Sequence, residues 1–328
     1  MGLNLKSSFI FNFELMKKFL LRLFLFIVLV NAILFAVKLG TDYFLHKSTD
    51  PLFSSWNEIQ HLKKSPELLV IGNSKAATHY NPALMDSVTG LISYNLGMDG
   101  LTSIQQEERY KYYRQFNNKP KVFLLNMENV MYYYRDDIIQ PQQYLPFLDD
   151  TLISDQCLSM GMNPLRIYTP QFRYFEADIC FETAFKQIVG LPDNEQFRRN
   201  KGFLGISPDF NEEAYKKLVD SKPAALINIE LMLRHERFLK SLTNDGIKVI
   251  MVFPPQYSDY SNHIQELGVL RAYFRNLSMR LGVEYWDYTE SDISDNKSNF
   301  FDHHHMNLEA SNRYSLEISK RIKNMMIK

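Results

Sequence analysis

The stretch Glu67-Leu68-Leu69-Val70-Ile71-Gly72-Asn73-Ser74-Lys75 decides how the rest of the chain reads. A short apolar run that ends at a glycine predicts a buried strand over Leu68–Ile71, with a sharp turn where a side chain would obstruct the backbone. The residues after Ser74 can start a helix. A serine just past the carboxyl end of a parallel strand stands where open α/β sheets bind their ligands. Working outward, Asn81-Pro82 reads as a cap followed by a proline at the first helical position. Ile92–Gly97 is a second predicted strand, Ser103–Phe116 a helix and Lys121–Asn126 a third strand. From Pro223 a helix runs to the stop signal Asp245-Gly246. A strong strand, Ile247–Phe253, is closed by Pro254-Pro255. A helix over Ile264–Leu281, a strand over Val283–Tyr288 and an amphipathic helix over Asn307–Met325 complete the pattern. Strands that alternate with helices predict a three-layer α/β/α sandwich around a parallel, flavodoxin-like sheet. The exception is Met131–Lys222, aromatic and polar with no strand period, which reads as an insertion. Its Tyr132-Tyr133-Tyr134 run either packs the insertion or stacks sugar rings at a cleft.

At 328 residues and 45% hydrophobic, the chain can bury a full core. Lys and Arg together number 37, as do Asp and Glu. Without a basic excess, an electrostatic nucleic-acid binder is excluded. Phe19–Val37 is apolar apart from Arg22 and Asn31, and at about 1.5 Å per residue its helix is roughly 28 Å long, close to a hydrocarbon core. Lys17, Lys18 and Arg22 precede the run, while Lys38 and Asp42 follow it. That basic bias predicts a cytoplasmic N-terminus and an extracytoplasmic remainder. A cleaved signal peptide is the rival reading, but the run is long and no small-x-small site precedes Gly40. The expected layout is a cytoplasmic segment at 1–18 and a transmembrane anchor at 19–39. A linker with a lead-in helix follows at 40–65, where Trp56, Ile59 and Leu62 have helical spacing. The sheet domain occupies 66–328, with its insertion at about 131–222. Cys157 and Cys180 then lie outside the membrane, where a disulfide and two buried thiols are both open readings.

Serine is a weak nucleophile until a base takes its proton, and the base needs a carboxylate to hold its tautomer. Phe301-Asp302-His303-His304-His305-Met306-Asn307 offers that acid and base three residues apart. Asp302 can turn back onto one nitrogen of His305 and leave the other to face Ser74, while Asn307 caps the last helix. The expected catalytic set is therefore Ser74, His305 and Asp302. A metal held by the histidine run is disfavoured, because consecutive side chains point in different directions. Neither a metal nor an organic cofactor is expected. His79 reads as a solvated or helix-start histidine. Lys75 reads either as a surface residue or as an attractor of anionic substrate. Gln256 and Tyr257 end a strand on the same edge as Ser74 and are placed to line a pocket.

These pieces resemble the blocks of the SGNH/GDSL hydrolase superfamily from about Leu68 to the end, the insertion aside. Gly72-Asn73-Ser74 resembles the first block, with Asn73 in place of the usual aspartate. Asn95-Leu96-Gly97 resembles the second, and Asp302-His303-His304-His305 the Asp-x-x-His of the last. The resemblance implies that the amides of Ser74 and Gly97 hold an oxyanion. The third block, Gly-x-Asn-Asp, is unmatched: the chain reads Asn126-Met127-Glu128-Asn129, so either asparagine, or neither, supplies the third donor. With its single span, the outline resembles the teichoic-acid D-alanylation protein D group and, more loosely, polysaccharide O-acetylation proteins. It implies a membrane-anchored serine esterase or O-acyltransferase acting on a surface glycan or acyl ester, beside a multispanning membrane O-acyltransferase. The alternative is a catalytically silent scaffold or glycan-binding subunit of such an assembly.

Overall fold

Five parallel strands form one sheet in the order β2-β1-β3-β4-β5. They are β1 (Leu68–Ile71), β2 (Ser93–Asn95), β3 (Val122–Asn126), β4 (Lys248–Phe253) and β5 (Glu284–Asp287). The computed structural model describes residues 5–133, 137–192, 199–207 and 210–327, with side chains of the first helix from Phe13 onward. The order is the flavodoxin-like one expected from the alternating pattern, and each crossover carries helices. In chain order the helices begin with α1 (Leu5–Leu45), α2 (Pro51–Gln60), α3 (Ser74–His79), α4 (Pro82–Thr89) and α5 (Ser103–Phe116). The insertion holds α6 (Thr151–Ser159), α7 (Pro164–Tyr168), α8 (Asp178–Val189) and α9 (Glu212–Asp220). Then come α10 (Ile229–Asn244), α11 (Ser258–His263), α12 (Leu267–Leu281), α13 (Asp292–Asp295) and α14 (Leu308–Ile327).

Side chains alternate across a strand, so neighbouring residues feed opposite cores. Leu69, Ile71, Phe123, Leu125, Met251 and Phe253 pack under α2, α5, α10 and α12. Leu68, Val70, Val122, Leu124, Ile250 and Val252 pack under α3, α4 and α14. This double burial explains why β1 and β3 read as unbroken apolar runs. Among the described residues the insertion adds helices and 3-10 turns but no strand to the sheet. Within it Tyr132 is buried and its hydroxyl bonds His235 Nδ1 at 2.9 Å, so it packs rather than lining a cleft. Tyr133 is exposed, and Tyr134 lies outside the described residues.

The expected linker is not a linker at its start. Residues 40–45 continue α1 without a break, and Thr41, Asp42 and Leu45 are buried, Leu45 in the main core. Lys38 Nζ reaches Asp42 at 2.8 Å and Asp149 at 3.0 Å. The fully buried Arg173 holds Asp149 at 2.5 Å, and the Tyr174 hydroxyl bonds Asp42. Polar groups that leave water need such partners, so the cluster rivets the carboxyl end of α1 to the insertion. Over Phe13–Leu45, α1 is long and apolar enough to cross a membrane, and none of its most apolar window is buried in the protein.

Two glycines let α3 close onto the sheet. A β-carbon on Gly72 would stand 2.6 Å from Asn126 Cβ and 2.7 Å from Ala76 Cβ; one on Gly97 would stand 2.3 Å from the Ala77 nitrogen. At Gly97 the obstacle is backbone, which cannot swing aside. We predict that Gly97→Ala destabilises the fold by about 1–3 kcal/mol, the usual cost of overpacking, measured by urea denaturation. An unchanged midpoint would show that α3 is free to shift.

Candidate active site

Ser74 opens α3 directly after β1. Asn73 is the cap, its Oδ1 accepting the Lys75 amide at 3.1 Å. The other half of the site is the loop between β5 and α14. There Asp302 Oδ1 accepts the amides of His304 at 2.9 Å and His305 at 2.8 Å. Its Oδ2 lies 2.7 Å from His305 Nδ1, and His305 Nε2 lies 2.7 Å from Ser74 Oγ. A carboxylate only accepts, so Nδ1 carries the imidazole proton and Nε2 is left as an acceptor toward the serine hydroxyl. The ring of Phe301 stacks on His305 at 5.3 Å and 5°. Asn307 Oδ1 accepts the Ala310 amide at 3.1 Å and so caps α14. The structure thus brings Ser74, His305 and Asp302 into one chain of hydrogen bonds across 231 residues of sequence.

His79 and Lys75 depart from their solvated readings, since both are buried. His79 Nε2 accepts the Met306 amide at 3.0 Å, which pins the loop one residue past His305. Lys75 Nζ donates to Gln256 Oε1 at 2.8 Å, and Gln256 Nε2 donates to Ser261 Oγ at 2.8 Å. Glu128 is buried as well and takes a hydrogen bond from the Asn73 side chain. Lys75, Glu128 and Gln256 form a polar floor beside the serine that the sequence reading did not assemble. The available signal was position: Glu128 and Gln256 both follow the carboxyl end of a strand.

Burial raises the Asp302 carboxyl, but the hydrogen bond and charge of His305, with the His304 amide, outweigh it and hold the group at about 2. Burial pulls Lys75 down to about 8, against the attraction of Glu128 and Asp302. Burial also pushes Glu128 above the ordinary carboxylate range. The same effect takes His303 down to about 4 and holds His304 and His79 well below their usual range. At neutral pH these three imidazoles are therefore uncharged.

The expected oxyanion donors are less well prepared. The Gly97 amide donates to Asn95 Oδ1 at 2.8 Å, so it is engaged, and the glycine serves the close contact with α3. Asn126 Oδ1 accepts the Tyr80 hydroxyl at 3.1 Å, while its buried Nδ2 has no partner among the described residues. Asn129 is hydrogen-bonded through its side chain to Tyr260, whose ring packs edge-on against His303 at 4.6 Å. Asp302, His304 and His305 bring ligand-type atoms within 4.8 Å of one another, but both oxygens of Asp302 and both ring nitrogens of His305 are already engaged. Cys157 and Cys180 are buried free thiols, each pushed up to about 12 by burial.

No protein-family model and no curated protein matches the chain. Among solved structures it is similar to a Bacteroides fragilis protein provisionally designated an acylhydrolase, at 13% identity over 83% of this chain and 94% of that one, with a TM-score of 0.39. That overlap is too loose to bear on the chemistry.

Because Asp302 titrates lower in the folded chain than its ordinary value of 3.8, its contribution is present above that value and lost as pH falls through about 2. We predict that Asp302→Asn lowers unfolding free energy at pH 7 by about 2 kcal/mol, a deficit that shrinks on acidification to pH 2. Urea titrations at both pH values check this; a deficit independent of pH would remove the carboxylate from the account.

Proposed function

We propose that the protein is a serine esterase or O-acyltransferase that works through an acyl-serine. The observation that carries this reading is the placement of His305 Nε2, 2.7 Å from Ser74 Oγ with Asp302 on the ring's other nitrogen. In this reading His305 takes the hydroxyl proton as Ser74 Oγ attacks an ester carbonyl. Asp302 stabilises the imidazolium, which then protonates the departing alcohol. A second acceptor, water or a sugar hydroxyl, gives its proton to His305 and carries the acyl group away. The Ser74 amide is the first oxyanion donor, and the unpartnered Nδ2 of Asn126 is the candidate for another. Neutral His79, His303 and His304 add no positive charge to oppose protonation of His305 at neutral pH.

The apolar α1 and the basic residues before it support an anchored enzyme with its N-terminus cytoplasmic and its sheet domain outside. Its substrate class is then an acyl ester or a cell-surface polysaccharide. The outline resembles that of proteins that work beside a multispanning membrane O-acyltransferase, and such a partner is part of the proposal. One observation favours the alternative of a silent scaffold or glycan-binding subunit: the Gly97 amide is engaged by Asn95.

Incubation of the full chain in detergent with p-nitrophenyl acetate, followed by intact-mass analysis, separates the two. An acetyl adduct on the wild type that disappears in Ser74→Ala is the expected result. His305→Ala and Ser74→Ala should each lower ester turnover on the order of 10⁴-fold or more, and Asn126→Ala roughly 10²-fold. Wild-type protein that neither forms an adduct nor labels with a fluorophosphonate would favour the scaffold.

A further inference from the structure

The insertion meets α1 well inside the apolar run. Gln171 Nε2 donates to Asn31 Oδ1 at 2.9 Å, and Asn31 lies fourteen positions before the end of α1. From there the face of α1 formed by Asn31, Leu34, Lys38, Thr41 and Leu45 is partly or wholly covered. Around the rest of its circumference α1 stays apolar and open at the same height, where Ile33, Phe35, Val37 and Leu39 are all exposed. A helix that presents those side chains needs hydrocarbon up to about Leu39. Hydrocarbon on one side of α1 at that level surrounds whatever packs on the other side.

What packs there is the 3-10 turn Pro170–Phe172 and α8, with α7 against the turn, and their free surface carries a cluster of exposed apolar side chains flanked by the exposed Asp178 and the Glu182–Lys186 pair. The buried residues of α8 are the small Cys180, Thr183 and Ala184, which allow close approach to a neighbouring helix. Its outward stripe holds Phe181, Phe185 at 60% exposure and Ile188 at 58%. Leu165, Tyr168 and Phe175 are likewise exposed, Phe175 at 65%. A crevice of about 240 Å³ between the two halves is lined by Leu34, Val37, Phe172, Phe175 and Phe181. The charges at this end of α1, Lys38 and Asp42, are buried and paired with the buried Arg173 and with Asp149, whose own side chain is exposed. A cluster of exposed aromatic and aliphatic side chains beside an apolar helix marks a contact surface, and the hydrocarbon around α1 is what adjoins it.

We infer that α7, the Pro170–Phe172 turn and α8 are immersed in the same leaflet that receives the carboxyl-terminal half of α1, making a second, interfacial contact with lipid acyl chains. The inference rests on α1 being the membrane anchor, and it adds a monotopic patch beside the span. Interfacial helices sink about 5–10 Å into the boundary between headgroups and acyl chains. The patch therefore fixes the azimuth of the domain as well as its height.

The test uses the full chain in phosphatidylcholine vesicles, with single cysteines carrying an environment-sensitive fluorophore. Native Cys157 and Cys180 are buried and give little background. Phe185→Cys and Ile188→Cys report the patch and Phe26→Cys reports the span. Lys320→Cys, on α14 across the sheet from α1, reports water. Lipid-borne nitroxide should lower emission at 185, 188 and 26 by about twofold or more, while iodide quenches only at 320. Lipid quenching at 26 with iodide quenching at 185 and 188 would overturn the patch and leave the anchor standing. Absence of lipid quenching at 26 would end the anchor reading and the patch with it.

Discussion

The arrangement depends on α3 being pressed against the carboxyl ends of β1, β2 and β3, with no room for a β-carbon at Gly72 or Gly97. Everything at the site takes its position from that contact. The side chain of Asn95 holds the Ala76 and Tyr80 carbonyls from β2, and the Tyr80 hydroxyl reaches Asn126 on β3. With α3 fixed at both ends, Ser74 is presented at its first position and His79 at its last. His79 in turn holds the amide that follows His305. One short helix therefore sets Ser74 directly and His305 through its loop. The Gly97 amide is part of the same contact, because the turn that brings Gly97 onto α3 closes through Asn95 Oδ1.

The chemistry of the site is a matter of which buried groups carry charge. Burial disfavours charge on every histidine around His305 and on Glu128, and it weakens charge on Lys75. Asp302 escapes because three hydrogen bonds converge on it. The result is a pocket in which the Asp302 carboxylate is placed against the imidazole that faces the Ser74 hydroxyl.

Most of the sheet was legible because double burial writes itself as continuous apolar runs. Leu68–Ile71 and Lys121–Asn126 could be read almost to the residue. The helix start at Asn81-Pro82 and the cap at Asn307 were legible for a different reason, since capping is a local hydrogen bond with few suitable side chains. Ser74, Asp302 and His305 could be gathered by residue type and by their places at strand ends. The state of Lys75 and His79 could not, because a lysine or histidine after a strand carries no local mark of whether a distant segment will cover it. The Gly97 amide misled for the same reason: its partner is a side chain two residues away whose rotamer is set by α3. The end of α1 is not legible near residue 40, because hydropathy falls there although the helix continues to Leu45. What carries the helix onward is the ion cluster with Asp149 and Arg173, more than a hundred residues away.

The unbroken passage of α1 into the core has a mechanical consequence. A spanning helix answers a change in bilayer thickness by tilting. With a flexible joint that tilt would be absorbed at the membrane surface. Here Leu45 belongs to the same packed cluster as Leu69 and Ile71, so α1 and the sheet turn as one lever. Were α1 to span a bilayer, a change in its tilt would be carried rigidly to the sheet and to Ser74 instead of being taken up at a joint.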